Sequence, residues 1–169
     1  MSIDSFPSKY FDNKNVIYIC LGIIICAFVY NYIQIFDFKP DLNGDNVYYY
    51  ALGKAIASGQ GYTNIMFLEE SPHSHFPPGY PLFTALILIF FKSYTALKVA
   101  NGVLFGLSIL LLFFLTRRIS GNLLLALLTC LLCCMQQALL RYSTIVMSEM
   151  LFTFLTLGVL YLFSLLDTD

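Results

Sequence analysis

The sequence contains few charged residues. Asp, Glu, Lys and Arg make up 11% of its 169 positions, whereas an average soluble domain has about 25%. Hydrophobic residues make up 59%, and the mean hydropathy is +0.76. This composition excludes most soluble globular classes, and it also excludes disordered chains, which are polar and poor in aliphatic residues. It predicts a polytopic membrane protein.

The sequence also lacks an excess of positive charge. Nine basic and ten acidic residues give a formal net charge of −1, so there is no basic field to attract nucleic acid. A disulfide framework is missing as well, because all five cysteines lie inside apolar runs. These are Cys20, Cys26, Cys130, Cys133 and Cys134. The last three imitate a metal-binding spacing, but their Leu-rich surroundings favour buried thiols.

Four apolar segments are long enough to cross a bilayer, which takes about 20 residues of helix. They are predicted at residues 16–36, 97–116, 123–140 and 145–166. Residues 1–15 carry two lysines, and basic residues favour the cytosolic side, so a cytosolic N-terminus is expected. The predicted fold class is therefore all-α, a polytopic cell-membrane protein with about four transmembrane helices.

A long connection, residues 37–96, separates the first two predicted spans and is expected to be extracytoplasmic. Connections of this length are usually functional. An amphipathic helix is predicted at 46–58, with Asp45 as its N-cap. The apolar segment 80–91 is too short for a span and suits an interfacial or re-entrant helix. If it crossed the membrane instead, every later segment would be inverted.

Two carboxylates are the first candidates for chemistry. Asp45 serves either as a helix cap alone or as a general base at the membrane surface, with Tyr49 one turn further along the helix. Glu149 lies near the start of the last span, where an ionisable group is a functional candidate by default. An ion pair with Arg141 is the alternative for Glu149. Only the four-span topology brings Asp45 and Glu149 to the same side.

Other polar residues of the outer side offer weaker signals. Lys98 and Arg141 are expected to contact a lipid phosphate, with interfacial snorkelling as the alternative. A divalent metal is possible in the long connection, although solvated side chains explain the same pattern. Its candidate ligands are Glu69, Glu70, His73 and His75.

Several segments, in this order, resemble a known family of membrane enzymes. They are GDNVYYYA at 44–51, AIASGQGY at 55–62, FPPGYP at 76–81, KVAN at 98–101, RRISG at 117–121 and SE at 148–149. Together they resemble the N-terminal part of GT-C glycosyltransferases. The most similar group is the bacterial branch of the dolichyl-phosphate-mannose–protein mannosyltransferase-like family, which includes the lipid A aminoarabinose transferases. The resemblance covers residues 16–166 and implies an N-terminal catalytic module.

The resemblance implies an inverting transfer on the outer face of the membrane. A sugar would pass from a polyprenyl-phosphate donor to a hydroxyl of a lipid, glycan or protein. Asp45 would be the catalytic base, and the acceptor or phosphate would be positioned by Tyr49, His75, Glu149, Lys98 and Arg141. Polyprenyl phosphate is the leaving group, so no nucleotide site is implied, and no cofactor is required apart from a possible divalent metal.

Two departures from the family pattern bear on this expectation. The aminoarabinose transferases carry a Lys before the Pro-Pro pair that contacts the donor phosphate, and Phe76 stands there in this chain. The family also has membrane spans beyond the four predicted here, so a truncated and inactive module is one possibility. The alternative function is a non-catalytic membrane module that binds lipid or a partner subunit, in which Asp45 only caps a helix.

Overall fold

The structure is a computed structural model that describes residues 13–66, 71–72 and 74–166. Seven helices occur in these residues: α1 Lys14–Ile35, α2 Asp45–Ala57, α3 Gly79–Phe91, α4 Tyr94–Ser120, α5 Leu123–Met135, α6 Gln137–Ser143 and α7 Glu149–Leu166. Between α2 and α3, two short strands, β1 Thr63–Asn64 and β2 Ser71–Pro72, pair in antiparallel fashion. The all-helical class expected from the sequence is confirmed, apart from this small hairpin.

Three helices, α1, α4 and α7, are long and apolar enough to cross a membrane. Each corresponds to a predicted span. The short apolar helix α3 covers the segment for which an interfacial or re-entrant helix was predicted. With 13 residues it extends about 20 Å at 1.5 Å per residue, less than the ~30 Å hydrocarbon core.

The span predicted at 123–140 needs correction, because it is broken. The helices α5 and α6 are bent by 67° relative to each other and pass as a span only as a pair. The break falls at Gln136, whose backbone leaves the helical region at φ −75° and ψ 106°. Its side chain accepts a hydrogen bond from the Leu139 N–H at 3.0 Å. Gln136 therefore starts a new helix at a pair of polar residues, Gln136 and Gln137, within the apolar segment.

Contacts at the helix ends show how the bundle is arranged. Asn101, near the start of α4, donates to the Met147 carbonyl just before α7. Arg118, near the end of α4, donates through Nε to the Ser164 carbonyl near the end of α7 at 2.8 Å. The helices α4 and α7 are therefore parallel. The chain passes back from the end of α4 to the start of α7 through α5 and α6. We call the end where α1 stops and α4 and α7 begin the α2 end, because α2 packs there.

The apolar core divides into two parts. The larger cluster joins α1, α4 and α5 around buried residues such as Ile24, Phe113 and Cys130. The smaller cluster lies at the α2 end, where Tyr49 and Tyr80 pack with apolar side chains of α3, α4 and the segment before α7. Aliphatic side chains on the outer faces of α1, α3 and α7 remain exposed, as expected for surfaces that face lipid. The second cluster fixes the position of α2 on the bundle.

Close packing of α2 on α3 gives a stability prediction. A Cβ atom at Gly53 would lie 2.7 Å from the Cβ of Thr84 and even closer to its Cγ2. We expect Gly53→Ala to lower the free energy of unfolding by about 1–3 kcal/mol, because a packed interface yields little to an added methyl group. The matched control is Gly22→Ala in α1, where a new Cβ meets nothing within 4 Å. Equal thermal stability of the two variants in detergent would contradict the close approach.

Candidate functional site

The first site residue, Asp45, lies at the start of α2 and is exposed. The expectation that it caps the helix is wrong. Gly44 is the N-cap, with a φ of 67° that favours glycine, and Asp45 is the first helical residue. Among the described residues Asp45 has no hydrogen-bonding or ion-pair partner. Its carboxylate is therefore solvent-exposed and is stabilised only by the positive end of the helix dipole.

One turn beyond Asp45, Tyr49 is buried in an aromatic cluster. Its ring centroid lies 5.0 Å from those of Phe76 and Tyr80. The Tyr49 hydroxyl lies 3.3 Å from the Ser148 Oγ. Helix α2 and the start of α7 therefore meet at one end of the bundle, and Asp45 and Glu149 share that end. This contact excludes the inverted arrangement in which the two acids lie at opposite ends.

Phe76, directly before the Pro-Pro pair, is part of the same aromatic cluster. Its ring packs against Tyr48 and Tyr49, and its carbonyl accepts a hydrogen bond from the Tyr62 hydroxyl at 2.5 Å. His75 is exposed and packs edge-on against the Phe76 ring, with 4.8 Å between centroids. Phe76 is therefore fixed by apolar packing, and His75 lies at the rim of the cluster.

Glu149, the first residue of α7, is half-buried, and one of its carboxylate oxygens is shielded from solvent. Its Oε2 atom has no hydrogen-bond partner in the described part of the chain. The ion pair between Glu149 and Arg141 that the sequence allowed is not formed. The only salt bridge among described residues joins Lys98 to Asp37. Glu149 therefore remains a candidate for contacting a polar group that is not supplied by the described residues.

Lys98 is almost completely buried, with 2% of its side chain exposed. Its ammonium group donates to the Asp37 Oδ1 at 2.5 Å, to the Asp37 carbonyl at 2.7 Å and to the Lys39 carbonyl at 3.1 Å. An ammonium has three N–H donors, and all three are used. The hydrogen bond and charge of Lys98 lower the pKa of the Asp37 carboxyl below its ordinary value. The structure thus provides Lys98 with protein partners in place of a phosphate.

Arg141 is exposed on α6 and lines two adjoining clefts of about 460 and 570 Å³. One wall is the connection between α1 and α2, with Asp37 and Asp41. The other wall is the corner between α6 and α7. No described residue forms a hydrogen bond or ion pair with the Arg141 guanidinium. Arg141 is therefore a cation in an open polar cleft, and its guanidinium N–H groups have no acceptor among the described residues.

Asn101, Asp37 and Asp41 are polar residues at this end that the sequence interpretation did not select. Asn101 is fully buried, and the Asp41 carbonyl accepts hydrogen bonds from the Tyr94 hydroxyl at 2.7 Å and from the Asn46 side chain. An amide inside an apolar run was the available signal for Asn101, because such groups usually bridge membrane helices. No comparable local signal marked the two aspartates.

The metal hypothesis remains a prediction. Glu69, Glu70 and His73 lie outside the described residues, and only His75 of the proposed set is described. Within residues 13–66, 71–72 and 74–166, no three His, Cys, Asp or Glu side chains are grouped as metal ligands would be.

Comparison of the chain with protein-family models, with curated proteins and with solved structures finds no match. The functional interpretation therefore depends on the chemistry of the residues described above.

Proposed function

We propose that the chain is a catalytic module of a membrane glycosyltransferase that uses a polyprenyl-phosphate sugar on the extracytoplasmic side. The observation that supports this most strongly is the placement of Asp45 and Arg141 at the same end of the bundle. Sugar transfer to a hydroxyl needs a base for the hydroxyl proton. It also needs a cation where negative charge develops on the leaving phosphate. A membrane-anchored donor presents its phosphate at such an end.

In the proposed reaction, the Asp45 carboxylate accepts the proton of the acceptor hydroxyl. The hydroxyl oxygen forms a bond to the anomeric carbon from the side opposite the phosphate. The bond from the anomeric carbon to the phosphate oxygen breaks, and polyprenyl phosphate leaves with the electron pair. Inversion at the anomeric carbon follows from this geometry, and Arg141 stabilises the departing phosphate.

Three further residues are proposed to position the acceptor. The Tyr49 hydroxyl lies beside Ser148, and the half-buried Glu149 follows Ser148 directly in the chain. His75 lies on the exposed rim of the same aromatic cluster. Aromatic faces with nearby acceptor oxygens suit the apolar face and the hydroxyl groups of a sugar. The acceptor itself is a hydroxyl of a lipid, glycan or protein.

One observation favours the alternative, a non-catalytic module that binds a lipid or a partner subunit. Asp45 lines neither of the two clefts that contain Arg141, so base and cation do not face a single cavity. A radiolabelled-sugar assay decides between the two functions. Membranes that contain the chain are given a polyprenyl-phosphate sugar, and transfer above that of membranes without the chain is measured. Binding of the donor without transfer would favour the alternative.

The orientation of the α2 end can be tested by labelling with an impermeant maleimide. We expect Asn43→Cys, at the α2 end, to react in intact cells, because this end is proposed to face outward. Ile119→Cys lies at the opposite end of α4, is 74% exposed in the wild type, and should react only after the membrane is opened. Both changes are made in a Cys26→Ser background, because Cys26 is exposed. The reverse labelling pattern would contradict an extracytoplasmic site.

A further inference from the structure

One cleft contains both an unpaired guanidinium and two carboxylates. Asp37, Asp41, Lys98 and Arg141 all line the cavity of about 460 Å³. Arginine and carboxylate groups that share a site usually form a bidentate pair. Among the described residues, however, the only ion pair is the one between Lys98 and Asp37. Something in the fold therefore keeps the carboxylates from Arg141.

Asp41 is held by its own neighbours. Its Oδ1 atom accepts a hydrogen bond from the Asn43 side chain at 2.7 Å. Its carbonyl accepts one from the Tyr94 hydroxyl at 2.7 Å and one from the Asn46 amide. These contacts hold the backbone of Asp41 and give its carboxylate a hydrogen-bond partner other than Arg141.

The Asp37 carboxylate is held mainly by Lys98, with a weaker contribution from the Lys39 backbone N–H. Its side chain is 62% exposed, so packing does not prevent it from turning into the cleft. The Lys98 ammonium cannot move to follow it, because Lys98 is 2% exposed and also donates to the Asp37 and Lys39 carbonyls. The Phe36 ring lies 5.3 Å from the ammonium and further confines it. Loss of Lys98 would therefore remove the main restraint on a carboxylate that lines the same cleft as Arg141.

We infer that Lys98 is a positioning residue that holds Asp37 away from Arg141 and so keeps the guanidinium available for a phosphate anion. The identification of this anion as the phosphate of an isoprenyl-linked donor rests on the proposed function. The anion site itself rests on the geometry of the cleft. In this arrangement Lys98 acts through Asp37 and does not contact the anion.

The test is a binding titration with the full chain in phosphatidylcholine nanodiscs, which carry no net headgroup charge. Geranyl phosphate and inorganic phosphate are the probes, and Kd is measured by calorimetry. Arg141→Gln is expected to weaken the binding of geranyl phosphate about tenfold or more, the usual loss for a charge-assisted hydrogen bond. Lys98→Met should weaken it to a similar extent, because the released Asp37 competes for Arg141. Tighter binding of geranyl than of inorganic phosphate would support a lipid-linked anion, whereas equal binding would overturn that identification.

The double variant Lys98→Met with Asp37→Asn separates positioning from structural support. Since it removes the competing carboxylate, it should bind within about threefold of the wild type. A double variant as weak as Lys98→Met would overturn the inference. If Lys98→Met does not fold, Asp37→Asn alone decides. Binding as tight as that of the wild type supports the inference, because Asp37 is held by Lys98 and neither contacts the anion nor competes for Arg141; weaker binding contradicts it.

These outcomes are independent of catalysis. If the Kd values change as expected and no sugar transfer is found, the inference stands and the proposed function fails. If transfer depends on Asp45 while phosphate binding is indifferent to Lys98 and Asp37, the inference alone fails.

Discussion

Asp45→Asn is expected to lower the rate of sugar transfer by about 10²–10⁴-fold, the range that a positioned general base supplies. Asn has the shape of Asp but does not accept a proton at neutral pH. The fold should survive, because Asp45 is exposed and makes no capping bond. Only its interaction with the helix dipole is lost, which is worth about 0.3–1 kcal/mol. The measurement is the initial rate of transfer from a polyprenyl-phosphate sugar.

Asp45→Glu is the matched control for this experiment, because it keeps the carboxylate and moves it by one methylene group. It should retain more activity than Asp45→Asn. Thermal unfolding in detergent and donor binding should be close to those of the wild type for both variants. Full transfer activity in Asp45→Asn would exclude the catalytic role and leave Asp45 as a surface charge at the start of α2.

The largest effect on stability is expected from Asn101→Leu. The Asn101 Nδ2 group donates to the Ile145 carbonyl at 2.5 Å and to the Met147 carbonyl at 3.2 Å. Its Oδ1 accepts from the Tyr80 hydroxyl at 3.1 Å. Leucine fills a similar volume but leaves these buried groups without a partner. We expect a loss of about 2–4 kcal/mol in the free energy of unfolding, since each unsatisfied group costs about 1–3 kcal/mol.

Ser108→Ala is the control for Asn101→Leu, because Ser108 is also a buried polar residue of α4. Its hydroxyl donates to the Leu104 carbonyl of its own helix at 2.7 Å. Removing the hydroxyl therefore breaks no hydrogen bond between α4 and another segment. We expect a change below about 1 kcal/mol. Denaturant unfolding in nanodiscs measures both variants. Similar losses for the two would show that Asn101 does not hold the corner before α7.

The role of Asn101 links stability to the proposed site. The segment that it holds leads directly into Ser148 and Glu149, and Ser148 is the partner of the Tyr49 hydroxyl. A loosened corner would therefore shift Glu149 relative to α2. We expect that partial unfolding of this corner lowers transfer activity without any change at Asp45.

Much of the helical framework was predictable because it depends on local properties. A run of about 20 apolar residues has few alternatives to a membrane helix, which accounts for α1, α4 and α7. The end of α2 was likewise predicted to within one residue, since the helix expected to end at residue 58 ends at Ala57. The apolar α3 was predicted as a short helix from its length. The break at Gln136 was missed, because neither proline nor glycine marks it, and the only local signal is the polar pair Gln136 and Gln137.

The candidate site was only partly predictable. The sequence by itself determined the all-helical class, the presence of several long apolar helices and a few isolated charges, because hydropathy and chain length act locally. Only the tertiary structure decided which charges meet. Lys98 pairs with Asp37, 61 residues away, while Glu149 and Arg141 remain apart although only eight positions separate them. Electrostatic pairing depends on distance in space, and that distance is set by which helix ends pack together.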